Sequence, residues 1–338
     1  MVRRLFQPRR SLSRLPLLLL LIVLFSACAS PTDRGSLAGS APSDQHLTLR
    51  QPDALEPAPL VDGRHLQVVA STSIIADVVD DIGGDNLELA VLIPRGTDPH
   101  AYQPTPGDLQ ALYGADLILL NGFNLEADLV DVLSPVSEGV PVISLSDGLQ
   151  ARALNEGVYD KGIDPHVWFD PVLVSHWVDR IEQSLSRLDP AHAEEFKASA
   201  SRYHDELSNL DQWIEEQVIS IPAGQRKLVL DHLLLGYFAD RYGFEMISAL
   251  VPAFSSAAEA SPRELAVLTE VILAEGVPAI FVGVDTNPNL AEQIAGDLGI
   301  EVIELYTGSL GPLGGPADSY LEMMQYNVLA IKQALGPE

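Results

Sequence analysis

One cysteine, Cys28, occurs in 338 residues. A lone thiol excludes an intramolecular disulfide, so whatever folds here is held by its apolar core. Basic side chains are scarce as well: 20 Lys and Arg stand against 47 Asp and Glu, a formal charge of −27. Such a surface repels phosphate backbones and argues against nucleic-acid binding. It suits a protein that handles cations, and equally a plain, well-solvated surface. Neither a P-loop nor a G-x-S-x-G elbow is present, and no separate catalytic constellation stands out. Apolar residues are not scarce, at 47%, so most of the chain is expected to fold, and its length suffices for two ordinary domains.

The amino end departs from the acidic balance. "MVRRLFQPRRSLSRLP" carries Arg3, Arg4, Arg9, Arg10 and Arg14 with no acidic residue, and an 11-residue apolar run, "LLLLLIVLFSA", leads to Cys28. That is the layout of a secretory signal over residues 1–27, with an apolar core too short for an anchoring helix. "FSAC" resembles the bacterial lipobox, with Phe25 where leucine is commoner. The resemblance implies that the Cys28 thiol takes a diacylglycerol and becomes the mature N-terminus. The alternative is an ordinary cleaved signal beside an incidental cysteine. Loss of residues 1–27 would remove five arginines and no acid, taking the formal charge from −27 to −32. Residues 28–63 are rich in Ser, Pro, Ala and Asp without a sustained apolar period, and read as a flexible tether containing His46.

From Leu66 the pattern becomes orderly. Strand-like runs ("LQVVAS", "LELAVLIP", "DLILLNG", "PVISL") alternate with helical ones ("IIADVVDDIGG", "PGDLQALYGA", "LEADLVDVL"). Such alternation predicts βα units and a mainly parallel sheet. "DPVLVSHWVDRIEQSLSRLD" predicts a helix stopped near Asp189-Pro190. A second helical pattern then runs about thirty residues, against a mean globular helix of ~12. The second half repeats the first: strands at "KLVLD", "FEMIS", "AIFVGVD" and "EVIEL", and helices at "LLLGYFADRYG", "SPRELAVLTEVILAEGV", "PNLAEQIAGDLG" and "GPADSYLEMMQYNVLAIKQAL". Ser261 with Glu264 three residues on predicts a capping box. The expectation is an α/β fold of two lobes with mainly parallel sheets, joined by one long helix, with a ligand cleft between them. Its boundaries are 64–185 for the N-terminal lobe, 186–222 for the linking helix and 223–338 for the C-terminal lobe.

Three of the eight histidines lie at or just beyond predicted strand ends: His100 in "GTDPHAYQPTPGDL", His166 in "IDPHVWFDP" and His232 after "KLVLD". In open α/β sheets, ligands bind at the carboxyl ends of the strands. Neutral imidazole is the commonest protein metal ligand, and three of them suit Zn2+. The repeated Asp-Pro pairs stiffen their loops, so little entropy is lost on ligation. Asp98 and Asp164 are placed to accept the second ring N–H or to cap a turn. His176, His192 and His204 sit on predicted helices without a partner four residues on, and read as surface or packing residues. His65 precedes the first strand and is unremarkable.

"GTDPHAYQPTPGDLQALYGADLILLNGFNLE", "IDPHVWFDP", "LDHLLLGYFADRYGFE" and "LYTGSLGPLGGPADSYLEMMQYNV" resemble, in order, four regions of one family. It is the TroA-like solute-binding lipoproteins of bacterial ABC importers for zinc and manganese. The resemblance implies pseudo-symmetric lobes on a rigid helix with metal buried between them. It also implies export, a lipid anchor on the outer face of the cytoplasmic membrane, an ABC permease as partner and a monomer. By position it makes His100, His166 and His232 metal ligands. A histidine at the third position points to zinc over manganese, in keeping with ligand softness. Two departures stand out. The family's usual acidic fourth ligand, in a segment like "YTDSLG", is replaced here by Gly308 in "YTGSLG". Asp285, in "FVGVDTNP", is the nearest replacement; its other reading is a cap or turn before Pro288, with water completing the tetrahedron. The loop "GLQARALNEGVYDKG" also lacks the histidines that many zinc importers carry there. Three histidines with an open fourth position would also suit a zinc-dependent hydrolase, and loss of the fourth ligand would suit a surface adhesin without metal.

Overall fold

Parallel pairing organises the whole chain. A computed structural model describes residues 47–60, 63–153, 162–251 and 253–337. The signal segment, Cys28 and His46 lie outside the described residues. The first sheet comprises β1 (Leu66–Thr72), β2 (Leu87–Ile93), β3 (Leu117–Leu120) and β4 (Val142–Ser144) in the order β2-β1-β3-β4. The second comprises β5 (Lys227–Leu230), β6 (Glu245–Ala249), β7 (Ala279–Gly283) and β8 (Glu301–Leu305) in the order β6-β5-β7-β8. Every pair is parallel, and the two orders are the same topology used twice. The expected α/β fold of two like lobes is thus present.

Strand alternation builds the core. In β1, Val68 and Ala70 face one side and Val69 the other; in β7, Ala279 and Phe281 oppose Ile280 and Val282. Both faces are apolar because parallel sheets are covered by helices on both sides. The inward faces of the two sheets feed one continuous core, whereas the outward faces form two separate clusters.

The helices are α1 (Ser73–Gly83), α2 (Pro106–Gly114), α3 (Val130–Ser137), α4 (Pro171–Leu188), α5 (Ala193–Val218), α6 (Gly236–Tyr242), α7 (Pro262–Glu275), α8 (Asn289–Leu298) and α9 (Tyr320–Leu335). Helix α5 buries Phe196, Ala200, Tyr203, Leu207, Leu210, Ile214 and Val218, a single stripe at three- and four-residue spacing. It packs on α4 and α1 from the first half and on α9 from the second. The predicted capping box at Ser261 and Glu264 is formed, and Gly84 ends α1 at φ +52° as the paired glycines suggest. No helix among the described residues is long and apolar enough to cross a membrane.

Three expectations shift. The final helix begins at Tyr320 rather than near Gly315, because Ser319 and Glu322 form its capping box. The helix expected from Leu125 begins at Val130, after positive-φ turns at Phe123 and Asn124. The expected tether is also shorter, since residues 47–60 run against the first lobe. Arg50 N–H donates to Val142 O and Ala58 N–H to Leu188 O, each at 2.8 Å. Pro52 and Leu55 are buried, and Gln51 Oε1 accepts the Arg180 guanidinium at 3.2 and 3.3 Å.

Candidate metal centre

Each of the three strand-end histidines is held by an aspartate close to it in sequence. The stretch after β2 turns back at Asp98, whose Oδ1 accepts the His100 main-chain N–H at 2.9 Å, while its other oxygen accepts the Ser256 hydroxyl from the second half. After β4, the second Asp-Pro-His repeats that bond: Asp164 Oδ1 accepts His166 N–H at 3.0 Å. Here the same oxygen also meets the ring, at 2.8 Å from Nδ1. At the end of β5, Asp231 Oδ1 meets both His232 N, at 2.7 Å, and ring Nδ1, at 2.9 Å.

The three rings converge. Their centroids are 5.3 to 5.6 Å apart, steeply tilted to one another, and one ring nitrogen from each falls within 4.8 Å of the other two. His100 Nε2 and His166 Nε2 are 3.3 Å apart. Two nitrogens each ~2.0–2.1 Å from one tetrahedral ion would be separated by about 3.3 Å, so the spacing is compatible with two ligands of a single ion as well as with a ring-to-ring hydrogen bond. His166 and His232 are buried, and the ring of Trp168 stands edge-on to His166 at 5.2 Å.

Burial disfavours the imidazolium. Together with the neighbouring His232, it brings His100 down to about 4, and it holds His166 well below its ordinary value. Both rings therefore present a lone pair at neutral pH, the form a cation needs. At His232 burial again pushes down most strongly, but the adjoining Asp231 carboxylate, with Asp98 and Asp285 adding to it, holds the ring above its usual range.

Residues 68–334 match the zinc-uptake complex component A, periplasmic, family. The chain belongs to that family. It is 33% identical over 268 residues to the manganese-binding lipoprotein MntA of Halalkalibacterium halodurans, covering 79% of this chain and 87% of that protein. It is 34% identical over 284 residues to the zinc-binding protein TroA of Treponema pallidum, covering 81% and 90%. The solved structure of the periplasmic zinc binding protein TroA from Treponema pallidum superposes with a TM-score of 0.75 at 32% identity, over 81% of this chain and all of that one.

Within this member of the zinc-uptake family, Asp285 follows β7 and lines the same cavity as the three histidines. Its carboxylate accepts Thr307 Oγ1 at 3.1 Å, Gly308 N–H at 3.2 Å and Ser309 Oγ at 3.3 Å. It does not cap α8, whose N-cap is Pro288. Burial, with Asp98 nearby, raises its affinity for a proton. The set of mutually close ligand atoms comprises the histidines, with Asp285 beside it rather than in it. A Cβ added to Gly308 would meet Pro99 Cδ at 2.5 Å and Asp285 Oδ2 at 2.9 Å. The space a side chain would take at 308 is thus filled by Pro99 and Asp285. The cavity itself measures about 10 Å³, room for a single water-sized guest.

The other histidines lie elsewhere. His176 Nε2 sits 2.9 Å from Asp147 O, His192 pairs with Asp189 at the start of α5, and His204 pairs with Asp179. Sequence reasoning passed over Asp231. The signal available was the acidic residue immediately before His232 in "LDH".

Proposed function

We propose that this protein is an extracytoplasmic solute-binding protein that captures one divalent transition metal, zinc in preference to manganese, and delivers it to an ABC permease. His100, His166 and His232 are its nitrogen ligands, and Asp285 supplies the fourth. The chain works as a monomer, anchored through a lipid on Cys28 to the outer face of the bacterial cytoplasmic membrane. The observation that carries this reading is the convergence of three buried or half-buried imidazoles, two with nitrogens 3.3 Å apart, on a cavity of about 10 Å³. A cavity of that size takes an ion; a hydrolase would need the ion, its water and a substrate together.

Zinc preference follows from the donors. Imidazole nitrogen suits Zn2+, whereas Mn2+ favours carboxylate oxygen, and Gly308 contributes none. Competition titration of the metal-free chain beginning at Ala29 tests this. Zinc should bind one-to-one and at least tenfold more tightly than manganese, and Asp285→Ala should weaken zinc about tenfold. Tighter manganese binding would sink the preference. Failure to retain one equivalent of either metal would favour an adhesin without metal. Ester turnover that needs zinc and is lost in His232→Ala would favour the hydrolase.

A further inference from the structure

Asp231 stands where the second sheet reverses its strand order, at the end of β5 beside the end of β7. Its carboxylate is buried and is met by two main-chain N–H groups, one hydroxyl and the His232 ring. Oδ1 accepts the His232 main-chain N–H at 2.7 Å and faces ring Nδ1 at 2.9 Å. Oδ2 accepts Gly283 N–H and Thr286 Oγ1–H, each at 2.8 Å. The main-chain N–H of His232 and that of Gly283 give each carboxylate oxygen a fixed donor, and an ionised carboxylate only accepts, so the ring nitrogen facing Oδ1 has to be the N–H partner. His232 must therefore hold its proton on Nδ1, which leaves the Nε2 lone pair free on the cavity side. Rotating the ring by half a turn would bring Cδ2 to the carboxylate and lose the bond, so orientation and tautomer are locked together.

From this geometry we propose that Asp231 is a positioning residue for metal capture: it fixes the His232 tautomer, strengthens Nε2 as a donor and supplies negative charge through the ring. The proposal rests on the metal-capture reading above and deepens it. Two further points support it. The chain offers no side chain at Gly308, so charge that does not reach the ion directly has to arrive through a ligand. Asp231 also ties β5 to the turn that carries Asp285, since Thr286 is the next residue. One buried carboxylate thus sets both groups that the second lobe contributes before any ion arrives. Preset ligands lose less entropy on binding, and hydrogen-bonded acceptors behind a ligating histidine raise its basicity.

The test has two arms. In the first, the ring nitrogens of His232 are observed by 15N NMR in the metal-free wild-type chain at pH 8. The proton should be on Nδ1 with Nε2 bare; a proton on Nε2, or one shared evenly, overturns the proposal. In the second, zinc affinity is measured for Asp231→Asn. The amide has a single acceptor oxygen. If that oxygen stays on the ring N–H, Gly283 N–H loses its acceptor and faces the amide N–H instead, while the Thr286 hydroxyl keeps only Gly283 O. If it turns to them, the amide N–H faces Nδ1 and drives the ring proton to Nε2. Either way zinc affinity should fall about 10- to 100-fold, while the metal-free protein stays folded. A change smaller than threefold overturns the proposal. Should the variant fail to fold, the wild-type tautomer decides alone. A wrong tautomer with intact zinc binding sinks this proposal only, whereas absence of zinc binding by the wild type sinks it together with the capture reading.

Discussion

At Gly308 the second lobe packs tightly against the loop that carries His100. Even one added methyl group would press on Pro99, directly before His100, and on Asp285. Atoms that close must be moved, and overpacking of this kind costs about 1–3 kcal/mol. Gly308→Ala is therefore expected to lower the melting temperature of the metal-free protein by several degrees and to weaken zinc, because Pro99 drags His100 with it. Calorimetry and competition titration check both, and unchanged values in each would remove the close-approach argument. His204 offers the contrasting case. It lies partly exposed beside Asp179, far in role from the converging rings. His204→Ala should leave zinc affinity within measurement error, whereas His166→Ala should abolish tight binding.

At the level of elements, α1 and α9 meet through one carboxylate. Asp77 on α1 accepts the Tyr320 main-chain N–H, the first of α9, at 2.7 Å. Burial raises Asp77 to about 7, with the Tyr320 N–H opposing and Asp81 adding to the shift. The sign follows from proton counting. An unfolded aspartate titrates near ~3.9, so between about pH 4 and 7 the folded state binds the extra proton. This group's contribution to stability is then highest at the acidic end and declines as pH rises through 7. Denaturant unfolding of the metal-free protein from pH 5 to 8 should show that decline, by ~3 kcal/mol at most. Asp77→Asn should flatten it, and an identical slope in the variant would refute the assignment. The ordered segment 47–60 is a second element-level device, seating Leu55 in the main core. Leu55→Ala is expected to cost ~2–4 kcal/mol, read as a shift of the denaturation midpoint.

Across the whole molecule, the shared core limits how the lobes move. The inward faces of both sheets drain into one cluster through α1, α4, α5 and α9. Polar bonds add to it: Trp168 Nε1–H donates to Thr307 O at 2.9 Å, Tyr320 O–H to Trp168 O at 2.8 Å, and Arg95 to Gly311 O and Asp318 O at 2.9 and 2.7 Å. Wide opening would expose that core, so ion exchange is expected to proceed by local movement around His100, the least buried of the three rings. Small-angle scattering should accordingly give radii of gyration for metal-free and zinc-loaded protein that agree within about 1 Å, and a larger change would contradict the shared-core argument. Because an ion bound only by the folded state stabilises it by mass action, zinc at a thousandfold excess over its Kd should add about 4 kcal/mol.

Strand positions, the capping box at Ser261, the end of α1 at its glycines and the three strand-end histidines are all written in short stretches of sequence. They depend on alternation, helical spacing and caps, which are contacts between residues no more than a few positions apart. The order of the strands, the seat of residues 47–60 and the confinement around Gly308 depend instead on partners far away in the chain. Arg180 meets Gln51 across 129 positions and Asp231 meets Gly283 across 52. No local pattern encodes such a pairing, because a carboxylate or a glycine acquires its role only when folding brings its partner within a few ångströms. The chain alone therefore marked three histidines as a candidate site, and folding alone showed their rings converging, with Asp231 and Asp285 beside them.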